Sequence, residues 1–162
     1  MSKVHVVTDS ALRLPSAVDV RVPDAEIAEE LDITVIPLTV EIEGQVFKDG
    51  VDLNHEELLL RMARDRVRPR IVGPTERDFR RVYRRLTQRT DQILSLHSSA
   101  SLSLVHREAE RARTGFMGRY DIPVVDSQTF SLGLGILAEA AARLAAESMP
   151  LSAIVVGIDR SA

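Results

Sequence analysis

The sequence predicts an α/β domain with a mostly parallel sheet flanked by helices. Short apolar runs rich in β-branched residues alternate with segments in which apolar residues recur at helical spacing. Three of the apolar runs end in small polar residues, at the place where parallel strands open onto a ligand crevice. The chain of 162 residues has the length of one domain, so we expect residues 1–162 to form a single α/β domain.

The first predicted elements lie in the amino-terminal third. Val4–Thr8 is an apolar run that predicts a buried strand, and the acids that follow Pro23 indicate the first turn of a helix. Thr34–Ile42 is rich in β-branched residues and predicts one strand, in which Pro37 marks an edge or a bulge. A turn at residues 43–44 is expected to fold the following residues back as a short hairpin.

Helices and strands alternate through the rest of the chain. Asn54 begins a segment that resembles a capping box, Thr75 is the next predicted N-cap, and Gln92–Leu96 predicts the central strand. The remaining predicted elements are a helix from about Ser103 to Arg113, a strand over Asp121–Val125, a helix over Ser131–Glu147 and a final strand over Ser152–Ile158. Gly133 and Gly135 lie inside a helical pattern, where we expect them to permit close packing against a strand.

The stretch Ile93–Ser103 joins the central strand to a helix start, and its second half carries four serines, at positions 98, 99, 101 and 103. Serine hydroxyls and the free N–H groups of a helix's first turn favour an anionic group. Two other strands end in a similar way, at Asp9-Ser10 and at Asp126-Ser127. Because the carboxyl ends of parallel strands meet at one edge of a sheet, we expect one shared crevice for a carboxylate or a phosphate.

Composition and motifs exclude several kinds of site. The chain has no cysteine, which removes thiolate catalysis and cysteine-ligated zinc and is consistent with a cytoplasmic protein. It has no Walker-type phosphate loop, no GxGxxG after a strand and no histidine pair at metal-ligand spacing, so we expect no metal and no cofactor. No apolar run reaches the roughly 18–20 residues that span a bilayer, so no membrane span is predicted.

Asp9, His97 and Ser99 are of the residue types that form a hydrolytic triad. The nucleophile pattern GxSxG is absent, however, and each residue has a simpler role at a strand end. We expect Asp9 and Asp126 to hold neighbouring loops through hydrogen bonds, as Asx side chains at strand ends do. His97 is expected to be a hydrogen-bonded strand-end residue, and no catalytic residue is predicted.

Positive charge is concentrated in one segment. Residues 61–89 contain eleven arginines and three acidic residues, in a chain whose net charge is −3. The segment is either the solvated face of a helix or a patch for an acidic partner such as nucleic acid, anionic lipid or an acidic protein. Four Phe, two Tyr and no Trp leave few side chains for base stacking, so specific nucleic-acid binding is not expected.

A set of spaced motifs between about Val4 and Gly135 resembles the DegV family. The motifs are, in order, Thr8-Asp9-Ser10, Ile36-Pro37-Leu38, Asp49-Gly50-Val51-Asp52, Ile93–Ser103, and Val125-Asp126-Ser127 with Ser131-Leu132-Gly133-Leu134-Gly135. The resemblance implies a protein that binds a fatty acid and that, in some bacteria, presents the acyl chain to a separate fatty acid kinase. It covers the first of the two domains between which family members bury the acyl tail.

The resemblance also implies where the ligand lies. Ser99 and Ser103 align with the serines of the family's ligand loop, and the two Asp-Ser pairs, with Ser10 and Ser127, shape the same crevice. The family's Thr-Ser-x-Pro-Ser-like segment corresponds to residues 71–75, so Ile71 and Val72 replace hydroxyls that help to hold the carboxylate. The chain also differs in having Leu104-Val105 in place of Gly-Thr and Ala11 in place of a hydroxyl residue.

Three hypotheses follow. The leading one is a non-catalytic fatty-acid-binding domain with altered or lost ligand specificity, whose exposed apolar face is covered in a homodimer or by a partner chain. The second is the acyl-presenting component of a fatty acid kinase system, with the kinase on another chain. The third is a structural or regulatory subunit that binds no ligand and acts through its arginine-rich face.

Overall fold

The computed structural model describes residues 3–16, 24–53 and 55–160. Its strands are β1 (His5–Asp9), β2 (Ile33–Ile36), β3 (Thr39–Ile42), β4 (Gln45–Lys48), β5 (Arg70–Ile71), β6 (Ile93–His97) and β7 (Val124–Asp126). Its helices are α1 (Asp24–Glu30), α2 (His55–Asp65), α3 (Glu76–Leu86), α4 (Val105–Arg113), α5 (Leu132–Ala146) and α6 (Leu151–Asp159), with a 3-10 turn over Thr114–Phe116.

Within these residues the main sheet has four parallel strands in the order β2-β1-β6-β7. The predicted fold class, a mostly parallel sheet flanked by helices, is confirmed. Val6 and Leu94 face one side of the sheet and pack in a core with α5 and α6. Val7 and Ile93 face the other side and pack with α3 and α4. Both faces are therefore covered, which is why β1 and β6 are buried along almost their whole length.

The single strand predicted over Thr34–Ile42 is wrong, because two strands in two different sheets occupy it. β2 ends before Pro37 and belongs to the parallel sheet, whereas β3 belongs to a three-stranded antiparallel sheet in the order β4-β3-β5. Because proline has no N–H to donate to the hydrogen bonds between strands, the chain leaves the main sheet at Pro37. The hairpin between β3 and β4 is confirmed, with φ of 51° at Glu43 and 80° at Gly44, the signs that its tight turn requires.

The final strand predicted over Ser152–Ile158 is also wrong, because these residues form α6. Their β-branched residues suggested a strand, but Leu151, Ile154 and Ile158 recur at helical spacing and are all buried. They complete the core that α5 begins. Burial of one helical face outweighs the modest β preference of Val and Ile.

Two predicted helix starts lie outside the described residues, and a third is confirmed. Asn54 and Pro23 are the two that fall in the gaps. Thr75 is the N-cap of α3: its hydroxyl accepts the Asp78 N–H, and the Asp78 carboxylate accepts the Thr75 N–H. No helix in the described part of the chain is long and apolar enough to cross a membrane.

Gly133 and Gly135 let α5 approach the loops beside it. A Cβ on Gly135 would lie 1.8 Å from the Arg13 carbonyl oxygen, and one on Gly133 would lie 2.2 Å from Thr129 Oγ1. The close approach expected from the sequence is confirmed, but the neighbours are the segment after β1 and the loop before α5 rather than a strand. The helix is thereby held beside the carboxyl edge of the main sheet.

Candidate functional site

The ends of β1, β6 and β7 meet at one edge of the main sheet. His97 pairs with Asp126 across the β6–β7 ladder, and the backbone of Ser98 contacts the side chain of Asp9 at the end of β1. The structure therefore brings the three predicted polar strand ends together. Residues 98–103, here called the head-group loop, follow β6 at the centre of this edge.

Three consecutive N–H groups fasten the head-group loop to its neighbours. Ser98 N–H donates to Asp9 Oδ2 at 2.9 Å, Ser99 N–H to the Thr129 carbonyl at 2.9 Å, and Ala100 N–H to Asp126 Oδ1 at 3.1 Å. Asp9 also accepts the Ala11 N–H, and Asp126 also accepts the Gln128 N–H. The expectation that both aspartates hold loops through backbone hydrogen bonds is confirmed.

The Asp9 carboxylate is fully buried, yet its hydrogen bonds favour the ionised form. Burial alone would raise the pKa of Asp9, because a charge is poorly solvated inside the protein. Donors from His97, Ser98 and Ala11 outweigh that effect and hold the pKa of Asp9 below its usual value of 3.8. The carboxylate is thus occupied by protein donors and does not face a ligand.

His97 contacts Asp9 and Ser95 rather than Ser99. Its Nδ1 lies 3.2 Å from Asp9 Oδ2, and its Nε2 lies 2.7 Å from Ser95 Oγ, which in turn lies 2.7 Å from the Tyr83 hydroxyl. A triad of Asp9, His97 and Ser99 is therefore wrong. Ser95 completes an Asp-His-Ser arrangement, but its exposure is 0%, so a substrate carbonyl cannot reach its hydroxyl.

Sequence reasoning missed Ser95 and Tyr83. Ser95 and His97 are two residues apart on β6, so they lie on the same face of the strand. That period-2 spacing was the available signal for Ser95. Tyr83 lies on the buried face of α3, but only the packing of this helix on the sheet places its hydroxyl against Ser95.

The hydroxyls of the head-group loop form a small cluster at the start of α4. Ser99 Oγ lies 2.8 Å from Ser101 Oγ, and Ser98 Oγ lies 3.4 Å from Ser103 Oγ. Among the described residues Leu104, the N-cap of α4, makes no side-chain cap, and Ser103 Oγ only weakly engages the Val105 N–H at 3.4 Å. Helix N–H donors and serine hydroxyls therefore lie together, an arrangement that can bind a carboxylate.

Ser10 and Ser127 have structural partners instead. Ser10 Oγ donates to Asp49 Oδ2 at 2.6 Å and accepts the Leu38 N–H at 2.9 Å, so it stabilises the passage from β2 to β3. The buried Ser127 Oγ donates to the Thr129 carbonyl at 3.1 Å. Both hydroxyls are therefore engaged by the protein at this edge of the sheet, and their role in shaping a ligand crevice stays a prediction.

Exposed apolar side chains lie on the segments that adjoin the polar cluster. Ile71 and Val72 are 62% and 46% exposed, and the following Gly73 approaches Val105 at the start of α4. A second group, here called the apolar rim, lies on the head-group loop, the start of α4, the loop after β7 and the first turns of α5. It consists of Leu102, Leu104, Phe130, Leu132 and Ile136, all at least 46% exposed. A ligand with a polar head and an apolar tail matches this distribution of groups.

A family model described as "Uncharacterised protein, DegV family" matches residues 3–160. The chain belongs to the DegV family. A DegV domain-containing protein of Deinococcus radiodurans is 34% identical over 130 residues, which are 80% of this chain and 46% of that protein. One from Caldanaerobacter subterraneus is 30% identical over 155 residues, which are 96% of this chain and 51% of the relative. The chain spans about half the length of the curated relatives it matches.

Solved structures of DegV proteins share the fold. A DegV family protein from Thermus thermophilus, described as fatty-acid-binding, matches with a TM-score of 0.84 and 31% identity over 98% of this chain and 53% of that one. DegV from Bacillus subtilis, described as a fatty acid binding protein, matches with a TM-score of 0.86 over 99% of this chain and 54% of that one. Its identity is 22%, so this second comparison supports the fold alone.

The arginine-rich segment of this DegV chain runs from the end of α2 through β5 and α3, and five of its arginines lie on the outer face of α3. The groove along that face has a volume of about 490 Å³ and is lined by Arg77, Arg80, Arg81, Arg84, Arg85 and Gln88. Arg80 pairs with Glu76, and Arg81 pairs with Asp78. Residues 3–16, 24–53 and 55–160 contain no cluster of acidic and histidine side chains that could hold a metal ion.

Proposed function

We propose that this DegV chain is a fatty-acid-binding domain with no catalytic activity of its own. The observation that carries the proposal is the serine cluster at the start of α4, which adjoins segments that expose Ile71, Val72 and the apolar rim. The Thermus thermophilus relative, described as fatty-acid-binding, supports the ligand class. The cysteine-free composition supports a cytoplasmic location as part of the same proposal.

The tail and the head group have different energetic roles in this proposal. Burying each CH₂ contributes roughly 0.8 kcal/mol, so a long acyl chain supplies most of the affinity. The head group lies near Ser99 and Ser103, whose hydroxyls and the helix N–H donors orient it. Its contribution is smaller, but it decides which end of the lipid enters the crevice.

Ile71 and Val72 alter the head-group contacts relative to the family pattern. Their side chains offer no hydrogen-bond donors, whereas the hydroxyls they replace would donate to a carboxylate. Losing a hydrogen bond to a charged group costs about 1.5–3 kcal/mol. We therefore propose an altered specificity, with weaker capture of a carboxylate or a preference for a less polar head.

The apolar rim gives the proposal a second part, which concerns partners. Contiguous exposed apolar surface usually marks an interaction site. We propose that a second copy or a partner chain covers the rim and the acyl tail together. In the acyl-presenting alternative the partner is a fatty acid kinase, and the covered tail would leave the carboxylate accessible to it.

The test is native mass spectrometry with lipid extraction of the purified protein, followed by titration of the delipidated protein with oleate. We expect a co-purifying fatty acid or saturable oleate binding. Ser99→Ala combined with Ser103→Ala should weaken binding, and Ile71→Thr combined with Val72→Ser should strengthen it. Ser152→Ala, on the exposed side of α6, is the matched control and should change nothing.

One result would reject the fatty-acid function. If the wild type carries no lipid, does not respond to oleate, and gains no binding from the restored hydroxyls at positions 71 and 72, the crevice has no lipid role. The structural or regulatory subunit would then be the better hypothesis, with the arginine-lined face of α3 as its first candidate surface.

A further inference from the structure

A buried chain of hydrogen bonds runs from α3 to the head-group loop. It joins the Tyr83 hydroxyl to Ser95 Oγ, Ser95 Oγ to His97 Nε2, His97 Nδ1 to Asp9 Oδ2, and Asp9 Oδ2 to the Ser98 N–H. Tyr83, Ser95, His97 and Asp9 each have 0% exposure. The ring of Phe79 packs edge-on against His97, with ring centroids 5.0 Å apart.

Counting donors and acceptors gives each hydrogen bond in this buried series a direction. The Asp9 carboxylate already accepts backbone N–H groups from Ser98 and Ala11, so His97 Nδ1 donates to it. The Tyr83 hydroxyl has no acceptor other than Ser95 among the described residues, so it donates there and Ser95 donates to His97 Nε2. His97 is therefore neutral with its proton on Nδ1. A charged imidazole would leave one hydroxyl proton, that of Tyr83 or that of Ser95, without an acceptor.

We propose that Asp9 is a positioning residue for the head-group loop. The hydrogen bonds that run from Tyr83 through Ser95 and His97 hold the Asp9 carboxylate in the orientation that this loop requires. The proposal rests on the fatty-acid-binding function above. Asp9 holds Ser98 on one side of the loop, while Asp126 holds Ala100 on the other side. Ser99, whose hydroxyl belongs to the serine cluster, lies between these two attachment points.

The positioning role differs in its consequences from a contribution to stability alone. If the Ser98 attachment is lost, the serine hydroxyls and the helix N–H donors no longer face the same point. Capture of a carboxylate then weakens more than capture of a neutral head, because hydrogen bonds to charged groups are the stronger ones. A residue that only stabilised the fold would affect ligands with the same tail equally.

The test compares oleate with oleyl alcohol, which has the same tail. Asp9→Ala removes the attachment, and Asp9→Asn keeps one neutral acceptor as the conservative variant. Glu139→Gln is the control, because Glu139 is another mostly buried carboxylate but accepts from Ser16 and Arg143 on α5's side of the sheet. Amide exchange at residues 98–100 and the ¹⁵N shifts of the His97 ring are measured in the same proteins.

We expect Asp9→Ala to weaken oleate binding about tenfold or more, with a much smaller effect on oleyl alcohol. Asp9→Asn should be intermediate, with faster exchange of the Ser98 amide, and Glu139→Gln should bind both ligands as the wild type does. The ¹⁵N shifts of the wild type should report a neutral ring protonated on Nδ1. Oleate binding by Asp9→Ala that equals or exceeds that of the wild type, or equal losses for the two ligands, would overturn the proposal.

Two further results are decided by the same data. If the wild type binds neither ligand, the fatty-acid function fails, and unchanged Ser98 exchange in Asp9→Asn would separately reject the positioning role. If Asp9→Ala does not fold, the binding data for Asp9→Asn decide. The proposal is then overturned if Asp9→Asn prefers oleate to oleyl alcohol by the same factor as the wild type does.

Discussion

The N–H of Ala100 donates to Asp126 Oδ1 at 3.1 Å, and this hydrogen bond ties the head-group loop to the end of β7. The same oxygen accepts the N–H of Gln128, which has a φ of 55°, at 2.9 Å. The side chain of Asp126 is thereby directed at backbone donors on both sides. A carboxylate beside a proposed site for an anion is thus compatible with that site, because protein donors already satisfy it.

The first prediction concerns Asp126. Asp126→Ala removes the acceptor of two N–H groups that are partly open to water, so we expect the free energy of unfolding to fall by about 0.5–1.5 kcal/mol. Asp126→Asn keeps an acceptor and should lose less than half of that amount. Urea unfolding of the three proteins provides the measurement. Equal losses in the two variants would mean that the hydrogen bonds to Ala100 and Gln128 do not stabilise the loop.

The second prediction compares two glycines in helices. A Cβ on Gly135 would lie 1.8 Å from the Arg13 carbonyl oxygen, and backbone must move to relieve that contact. We expect Gly135→Ala to lower the free energy of unfolding by about 3 kcal/mol. Gly157→Ala is the matched control: among the described residues nothing beyond its own helix backbone and chain neighbours lies within 4 Å of its Cβ position, and it should stabilise α6 by about 0.5–1 kcal/mol. Thermal unfolding of both variants would show whether α5 is held as closely as the structure indicates.

The parallel sheet and the meeting of its polar strand ends could be predicted from the sequence. β1, β6 and β7 are apolar runs that end in polar residues, and the topology of parallel strands places such ends together. The positions of α3, α4 and α5 followed from apolar spacing and from local signals such as Thr75, whose cap depends only on residues within one turn. Structural features that depend on residues close together in the sequence could therefore be predicted.

Features that depend on packing between distant segments were not predicted. The buried hydrogen bonds join Asp9 to Tyr83 through two residues of β6. Nothing near Tyr83 in the sequence indicates that its hydroxyl contacts Ser95. α6 resembles a strand in composition, and its helical form follows from the core shared with α5. Between β2 and β3, Pro37 was recognised as an interruption, but the change of sheet depends on tertiary structure.

The third prediction is that the protein associates through the apolar rim. Leu102 and Phe130 are 65% and 59% exposed, and exposed apolar groups of this size favour contact with a second surface. We expect sedimentation velocity to show a homodimer or a complex with a partner chain. Leu102→Ser combined with Phe130→Ser should shift the protein towards monomer, whereas Val46→Ser, on β4, should not. A strictly monomeric wild type at high micromolar concentration, with no co-purifying partner, would contradict this prediction.

The fourth prediction concerns the arginine-lined groove on α3. Arg77, Arg84 and Arg85 have no acidic partner among the described residues, so they are available to a polyanion. We expect weak, non-specific binding of heparin or duplex DNA that falls steeply as salt rises, because counterions are released. Changing these three arginines to alanine should abolish it, as measured by fluorescence anisotropy. Tight binding to a defined nucleic acid at physiological salt would show that this face has a specific role.

The last prediction is the pH dependence of stability that Asp9 confers. Hydrogen bonds from His97, Ser98 and Ala11 outweigh burial and hold the pKa of Asp9 in the folded protein below its unfolded value of 3.8. The folded state therefore binds fewer protons than the unfolded state in the acidic range. The stabilisation is fully present above the unfolded pKa and is lost as the pH falls from about 5 through the folded pKa. Asp9→Asn should lower the free energy of unfolding at pH 7 and flatten its decline in acid, since an amide does not titrate there. Urea unfolding between pH 7 and strongly acidic conditions measures both effects; curves for wild type and Asp9→Asn that stay parallel would show that the pKa of Asp9 is not lowered on folding.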